Sequence, residues 1–386
     1  MKKIISAIVI AFYAVFCLAG CAADATGSAN NGKISVVTTI FPEYDWVKNI
    51  MGDKAADADV TMLLDNGVDL HSYQPTAMDI AKISDCDLFI YVGGESDGWV
   101  EDALSEATNK DMVVINLLET LGSTVKSEEI KEGMEHVHDH EEGEDHDHEE
   151  GEDHDHEEGE DHDHEEGEDH DHEEGEEHDH EEGEDHDHEE GEDHDHEEGE
   201  EHDHEHEHES DEHVWLSLKN AAVICEAIEA GLEKADAANA DTYKANLATY
   251  KAELAELDAQ YAETVDGAAY KTLLFGDRFP FRYMVDDYGI DYFAAFTGCS
   301  AETEASFETI VFLAGKVDEL GLKHVMKIEG TATDIADTVV NNTANKDQDV
   351  LTLDSMQSTT SRDVAAGTTY LSVMKSNLEV LKTALN

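Results

Sequence analysis

Between His136 and His208 the chain contains almost nothing that could enter a core. The stretch is built on an eight-residue repeat, Glu-Glu-Gly-Glu-Asp-His-Asp-His with small variations. Eight copies run from Glu141 to His204, with further histidines at both ends. No apolar residue interrupts the run between Val137 and Val214. Such a segment cannot bury enough surface to offset the entropy of ordering it, so a disordered loop is expected. The fold must then be built from the segments on either side of it. With five carboxylates in each of eight copies, the repeat carries −40 of the formal charge of −72. It also holds 21 of the 24 histidines. Imidazole suits zinc, copper and nickel, so the tract reads as a weak, multivalent ligand for divalent metals. A solvated acidic spacer would need no histidine at regular intervals. The period is also far shorter than the roughly 20–50 residues of a solenoid repeat.

The amino terminus has the pattern of a secretory signal. Lys2 and Lys3 precede an apolar run from Ile4 to Leu18, followed by Leu18-Ala19-Gly20-Cys21. The run is shorter than the ~20 residues needed to span a bilayer. Its ending resembles a bacterial lipobox, which implies cleavage before Cys21 and lipidation of that thiol. Residues 1–20 are then the signal, and 21–33 a lipidated cysteine with a small, polar tether of roughly 20 Å mean reach. The expected location is the extracytoplasmic face of the cell membrane. Three thiols remain, Cys86, Cys225 and Cys299, with no Cys-x-x-Cys pair. An odd, scattered set argues against a disulfide framework, and all three are expected to be buried free thiols.

Outside signal, tether and repeat, about 275 residues remain, enough for one large domain or two lobes. Strands are expected at 34–40, 60–64, 87–92 and 112–118, with helices at 41–51, 76–84 and 99–107 between them. After the repeat come two long helical patterns, 216–234 and 240–265. In the second, Tyr243, Leu247, Tyr250, Leu254, Leu257 and Tyr261 form one apolar stripe. A helix of that length spans ~40 Å and can bridge two lobes. A second alternating series comes next, with strands at 270–275, 291–296, 324–328 and 350–353. Its helices are expected near 281–288, 306–320, 333–341 and 363–385. Strands alternating with helices imply parallel βα units. The expected class is therefore α/β, with two lobes of parallel βα units joined by a long spanning helix. The boundaries read as an N-terminal lobe over 34–135 and a His/Asp/Glu-rich loop over 136–212. An N-terminal-lobe helix over 213–239, an interlobe helix over 240–269 and a C-terminal lobe over 270–386 complete the chain. Ligands of open parallel sheets bind beyond the carboxyl ends of the strands, so the cleft between the lobes is the expected site.

Three histidines lie outside the repeat. His71 follows a strand in Leu70-His71-Ser72-Tyr73-Gln74-Pro75, and His213 follows the repeat in Asp211-Glu212-His213-Val214-Trp215-Leu216. His324 opens an apolar strand and reads as structural. His204-Glu205-His206-Glu207-His208 satisfies the zinc-peptidase pattern His-Glu-x-x-His. That pattern needs a helix presenting both histidines, and here it arises by chance in a tract of histidine and glutamate. No nucleophile–base arrangement stands out, so no enzymatic role is expected. So acidic a chain would be repelled by phosphate backbones, which argues against nucleic-acid binding.

At these motifs the sequence resembles the metal-binding solute receptors of bacterial ABC transporters, specifically their zinc-uptake, ZnuA-like branch. Thr39-Ile40-Phe41-Pro42-Glu43-Tyr44-Asp45 resembles the end of that family's first strand and its turn. His71-Ser72-Tyr73-Gln74-Pro75 resembles its first ligand motif, with Gln74 where glutamate is usual. Gly98-Trp99, His213-Val214-Trp215-Leu216 and the run from Tyr370-Leu371 to Asn377-Leu378 extend the likeness from about Ile34 to the end, repeat excepted. The resemblance implies metal ligation by His71 and His213, completed from the second lobe. There Asp354 matches the family's late acidic ligand. The remaining ligand position falls on Arg278, which cannot bind a cation. A shift of one residue gives Asp277, either an oxygen ligand or a partner of a neighbouring arginine. Glu329 is a further candidate, as ligand, supporting group or solvated turn residue.

Two histidines with one or two carboxylates suit zinc, and would also suit manganese. The histidine-rich loop favours zinc. The function implied is a lipid-anchored receptor that delivers Zn2+ to an ABC permease and its ATPase. The alternatives are a manganese receptor of the same family, or a surface metal buffer in which the repeat is the main function. A zinc hydrolase is a more distant possibility.

Overall fold

In the computed structural model, residues 33–135, 209–300, 304–330 and 335–386 are described. The signal, Cys21, the tether and the repeat lie outside the described residues. β1 (Ser35–Thr38), α1 (Phe41–Met51), β2 (Asp59–Met62), α2 (Ala77–Asp85), β3 (Leu88–Tyr91), α3 (Val100–Ser105), β4 (Val113–Asn116) and α4 (Leu117–Leu121) succeed one another before the repeat. The four strands pair in parallel in the order β2-β1-β3-β4. Leu88, Phe89 and Ile90 of β3 are wholly buried, as a parallel strand covered on both faces requires.

After the repeat come α5 (Leu218–Ala235) and α6 (Ala240–Gly267), and then a second lobe. It comprises β5 (Thr272–Phe279), α7 (Arg282–Tyr288), β6 (Asp291–Thr297), α8 (Phe307–Leu320), β7 (His324–Ile328), α9 (Ile335–Asn342), β8 (Asp349–Leu353), α10 (Ser361–Ala366) and α11 (Tyr370–Ala384). Its sheet is parallel with the order β6-β5-β7-β8, the same topology as the first. The two-lobe α/β architecture expected from the alternating pattern is thus present. Among the described residues no helix is long and apolar enough to cross a membrane.

α6 has 28 residues, or about 42 Å at 1.5 Å per residue. It buries Tyr243, Tyr250, Leu254, Leu257, Tyr261 and Val265. That face packs on α1 and α5 of the first half and on α11 of the second, so one apolar core runs through both lobes. A smaller core, with Leu274, Leu313, Val317 and Val339, lies where α8 and α9 cover the second sheet. Residues 125–135 cross from one lobe to the other. Lys131 pairs with Asp291, and the Glu135 amide donates to the Ala295 carbonyl. On either side of the repeat the chain meets itself in an antiparallel bridge between Ser127 and Ser210.

Three elements differ from the sequence pattern. The strand expected over 112–118 ends at Asn116, whose side chain caps α4 by accepting from the Glu119 amide. β5 continues beyond Phe275 to Phe279 through a register shift against β6 between Phe275 and Arg278, a bulge that local composition does not announce. Gly276 permits it: a Cβ there would lie 2.4 Å from Cα of Ala336 on α9. The carboxy-terminal helical pattern is two helices, because Gly367 at φ +105° ends α10 and Thr369 caps α11.

The lobes are joined by a polar clamp around Trp215. Its indole N–H donates to the Ser355 carbonyl (2.8 Å), and its carbonyl accepts from the Tyr370 hydroxyl (2.7 Å). The Tyr370 amide, one of the unpaired donors at the start of α11, donates to Asp45 Oδ2 on α1 (3.0 Å). Burial pushes the Asp45 carboxyl up from 3.8 to about 6, against the lowering effect of hydrogen bonds from the Tyr370 amide and the Asn49 side chain. A raised folded-state pKa means that the fold holds a proton the unfolded chain has released. Asp45 should therefore cost stability as pH rises from about 4 to about 6, on the order of 2–3 kcal/mol in all. Asp45→Asn, neutral throughout, is expected to lose that dependence. Urea denaturation of both proteins between pH 4 and 7 checks it, the difference between the two curves isolating this group.

Candidate metal centre

The two candidate histidines come from either side of the repeat, 142 residues apart in sequence. His71 sits in a short helical turn, Leu70–Ser72, set by Asp69, whose carboxylate accepts from the His71 amide (3.0 Å). His213 precedes the turn Val214–Leu216 that leads into α5. The two Nε2 atoms are 3.2 Å apart. His213 is completely buried, with its ring against Trp215 at 5.2 Å between centroids, while His71 is half-buried.

The other ring nitrogens are already committed. His213 Nδ1 is 3.0 Å from Asp211 Oδ1, which also accepts from the His213 amide (2.9 Å). A carboxylate only accepts, so Nδ1 carries the hydrogen and Nε2 the lone pair. His71 Nδ1 is 2.7 Å from Ser96 Oγ and 3.4 Å from Glu212 Oε2. That nitrogen bonds Ser96 and lies beside the Glu212 carboxylate. The Ser96 amide donates to the second oxygen of Glu212 (2.9 Å), which fixes the carboxylate. The two Nε2 atoms then face each other at a separation that a shared proton or a cation can bridge. Nitrogens about 2.0–2.1 Å from one zinc ion, at the observed 3.2 Å separation, subtend roughly 100° at the metal, close to tetrahedral.

The surroundings are anionic. Burial alone would lower the His213 pKa, but Asp211, with Glu212 and Glu128 behind it, raises it above the ordinary value. Burial would raise Glu212, yet hydrogen bonds from His71 and Ser96 hold it below the usual carboxylate range. Asp97, which accepts from the Gly93 amide, is pushed by burial to about 7. These groups favour a cation at the histidine pair.

From the second lobe, Cys299 reaches the same point. It follows β6, and with His71 and His213 it offers one ligand atom each, all within 4.8 Å of one another. Cys86 and Cys225 are buried free thiols, as expected, whereas Cys299 is a free thiol only half-buried, beside the two histidines. Burial and the nearby Glu128 and Asp211 push its thiol pKa up.

The three sequence-predicted carboxylates fall outside that group. Asp277 accepts from the Arg278 amide (2.8 Å) and from the Ile328 amide on β7 (3.1 Å), closing the β5 bulge. The Arg278 guanidinium turns away from it, to Asp69 (2.7 Å) and to the Ser300 carbonyl (3.3 Å). Glu329 accepts from the amide and hydroxyl of Ser355 (2.6 and 2.8 Å) and from the Gln357 amide (3.1 Å). Asp354 accepts from the Met356 amide (2.8 Å), one residue from the carbonyl that holds Trp215. Burial raises both Glu329 and Asp354, and Glu329 is raised further by the charge of Asp354. His324 opens β7 at its amino end, away from the strand ends that carry the site.

A profile of the family described as zinc-uptake complex component A, periplasmic, matches residues 36–384. The chain belongs to this family. Its relatives include the high-affinity zinc uptake system protein ZnuA of Bacillus subtilis, 29% identical over 371 residues, 95% of this chain and 93% of that protein. The zinc-binding protein AdcA of Streptococcus pyogenes is 28% identical over 91% of this chain. The chain spans only 56% of the length of that streptococcal relative. Among solved structures, the Zn(II)-bound ZnuA-like domain of Streptococcus pneumoniae AdcA superposes with a TM-score of 0.59 at 24% identity. The alignment covers 92% of this chain and 99% of that one. The metal-dependent lipoprotein YcdH of Bacillus subtilis gives 0.62 at 23%, covering 92% and 99%. At these identities the structures establish the shared two-lobe fold.

Sequence reasoning missed the groups that set the histidines. Asp211 and Glu212 read as the tail of the acidic repeat, and Ser96 as an ordinary loop serine. The spacing Asp-x-His could have signalled Asp211; nothing local signals Glu212 or Ser96. As in other metal sites, a carboxylate on the far nitrogen orients the imidazole and raises its basicity. Asp211→Asn is therefore expected to weaken zinc binding about 10–100-fold while leaving the fold intact. Competition against a chromophoric chelator, alongside circular dichroism, measures both.

Proposed function

We propose that the protein is an extracytoplasmic zinc receptor, held at the membrane by lipid on Cys21, that captures Zn2+ between its lobes. It would pass the ion to a permease driven by an ATPase. The observation that carries this reading is the pair of Nε2 atoms 3.2 Å apart, with His213 held from behind by Asp211 and His71 by Ser96, the Glu212 carboxylate lying 3.4 Å from it. The family supports it, as do the relatives named for zinc binding and high-affinity zinc uptake. Imidazole donors favour zinc over manganese, which prefers oxygen.

His71 and His213 are the ligands assigned from the first lobe. Of the carboxylates, Asp354 is assigned as the oxygen donor from the second, because among the described residues its side chain is engaged by the Met356 amide and is less committed than the other two. Asp277 and Glu329 hold backbone amides and are assigned supporting roles. In a variant with residues 136–208 replaced by a short Gly-Ser linker, one tight zinc site should remain, and His71→Ala should abolish it. Asp354→Ala should weaken it about tenfold or more. Asp277→Ala should lower stability more than affinity, since it leaves two buried amides without acceptors, at roughly 1–3 kcal/mol each. Isothermal titration and thermal melts separate these effects. Equal affinity with and without His71 would remove the assignment.

The same titrations test the repeat. It is expected to add several weak sites that vanish on mild acidification, because dense carboxylates favour the imidazolium and only neutral imidazole binds metal. Loss of the tight site along with the repeat would instead make the protein a metal buffer.

A further inference from the structure

We infer that Cys299 is the third protein ligand of the captured ion, so that the second lobe closes on the metal with a thiolate. The inference rests on the receptor reading and specifies its donor set.

Three independent features bring this residue to the ion. The first is distance: one ligand atom each from Cys299, His71 and His213 lies within 4.8 Å of the other two. The second is the shape of the loop. At Gly298 a Cβ would meet the Phe279 carbonyl at 2.9 Å and Cε1 of His213 at 3.1 Å. A side chain there would push the loop away from the imidazole; glycine lets its backbone lie against the ring. The Cys299 amide then donates to Glu128 Oε1 (2.8 Å), which anchors the loop to the segment that crosses between the lobes.

The third is Arg278. It stands where the resemblance to metal receptors puts the second-lobe ligand, and a guanidinium has no lone pair to give. Its contacts show what it does instead. One nitrogen bonds Asp69, two residues from His71, and another bonds the carbonyl of Ser300, next to Cys299. Arg278 therefore straps the cysteine loop to the His71 loop. A position that cannot bind the cation holds in place one that can.

The chemistry is consistent with zinc. Cys299 would lose its thiol proton to solvent as the Zn–S bond forms, at about 2.3 Å, beside two nitrogens at about 2.0–2.1 Å. Two imidazoles and a thiolate form a soft set that discriminates against manganese more strongly than two imidazoles and carboxylates. Selectivity would then come from the second lobe, and the repeat would not be needed for it.

Cobalt(II) reports the sulfur directly. The full-length protein, kept reduced, is titrated with one equivalent of cobalt so that the tightest site fills first. A thiolate-to-cobalt charge-transfer band in the near ultraviolet is expected, and it should be absent in Cys299→Ser. The repeat contains no sulfur and cannot produce that band. Cys299→Ser should also bind zinc at least about tenfold more weakly, with an unchanged melting profile without metal and little change toward manganese. A band that persists in Cys299→Ser overturns the proposal. So does a native protein that shows no band yet binds one zinc tightly in a His71-dependent way, a result that leaves the receptor reading standing. If no tight His71-dependent site is found at all, the receptor reading falls with it.

Discussion

The Trp215 indole joins the two lobes at the point where position matters most. It donates to the second lobe through Ser355, the Trp215 carbonyl accepts from Tyr370 at the head of α11, and the ring lies against His213. Each contact is buried, where an unpaired donor costs more than in water. Displacing Trp215 would leave unpaired polar groups in both lobes as well as a loosened His213 ring. The rigidity of His213 is thus inherited from the lobe junction. Asp45 extends the same chain of contacts to α1, so the first helix of the chain and the last are coupled through one residue.

Around the histidines, charge is arranged in layers. Asp211 and Glu212 are adjacent in sequence yet serve different rings, since His213 turns back on Asp211 while Glu212 reaches across to His71 and Ser96. Behind them Glu43 accepts from the Thr39 and Ile40 amides, its carboxyl raised by burial and by Asp97. Such a set of buried acids is costly without a counter-ion. A divalent cation at the imidazole pair offsets part of that cost, which ties affinity to the electrostatics of the whole lobe junction.

The sequence was most legible where chemistry and local pattern coincide. His71 and His213 were found because each sits in a short motif outside the repeat. The stripe on α6 was readable because a helix repeats every 3.6 residues. The surroundings of Asp277 were not legible, because the bulge in β5 is set by the packing of Gly276 under α9, a contact no local pattern encodes. Cys299 was passed over for a related reason. A lone thiol after a strand reads as core filling, and only the pairing of β6 with β5 and the reach of Arg278 bring its loop to His213. Asp211 and Glu212 were hidden by company, two acids at the end of a long run of acids.

The bridge between Ser127 and Ser210 has a consequence for how this chain can change over generations. The segments on either side of the repeat lie side by side at Ser127 and Ser210, so the chain between those two residues forms a closed loop. Closure entropy rises slowly, by about 0.6 kcal/mol for each doubling of length. An array of near-identical eight-residue units is also the kind of text that replication slippage lengthens or shortens by whole units. Copy number can therefore drift while the sequence of the two lobes stays the same, so the number of histidines and carboxylates is free to vary independently of the fold that carries them.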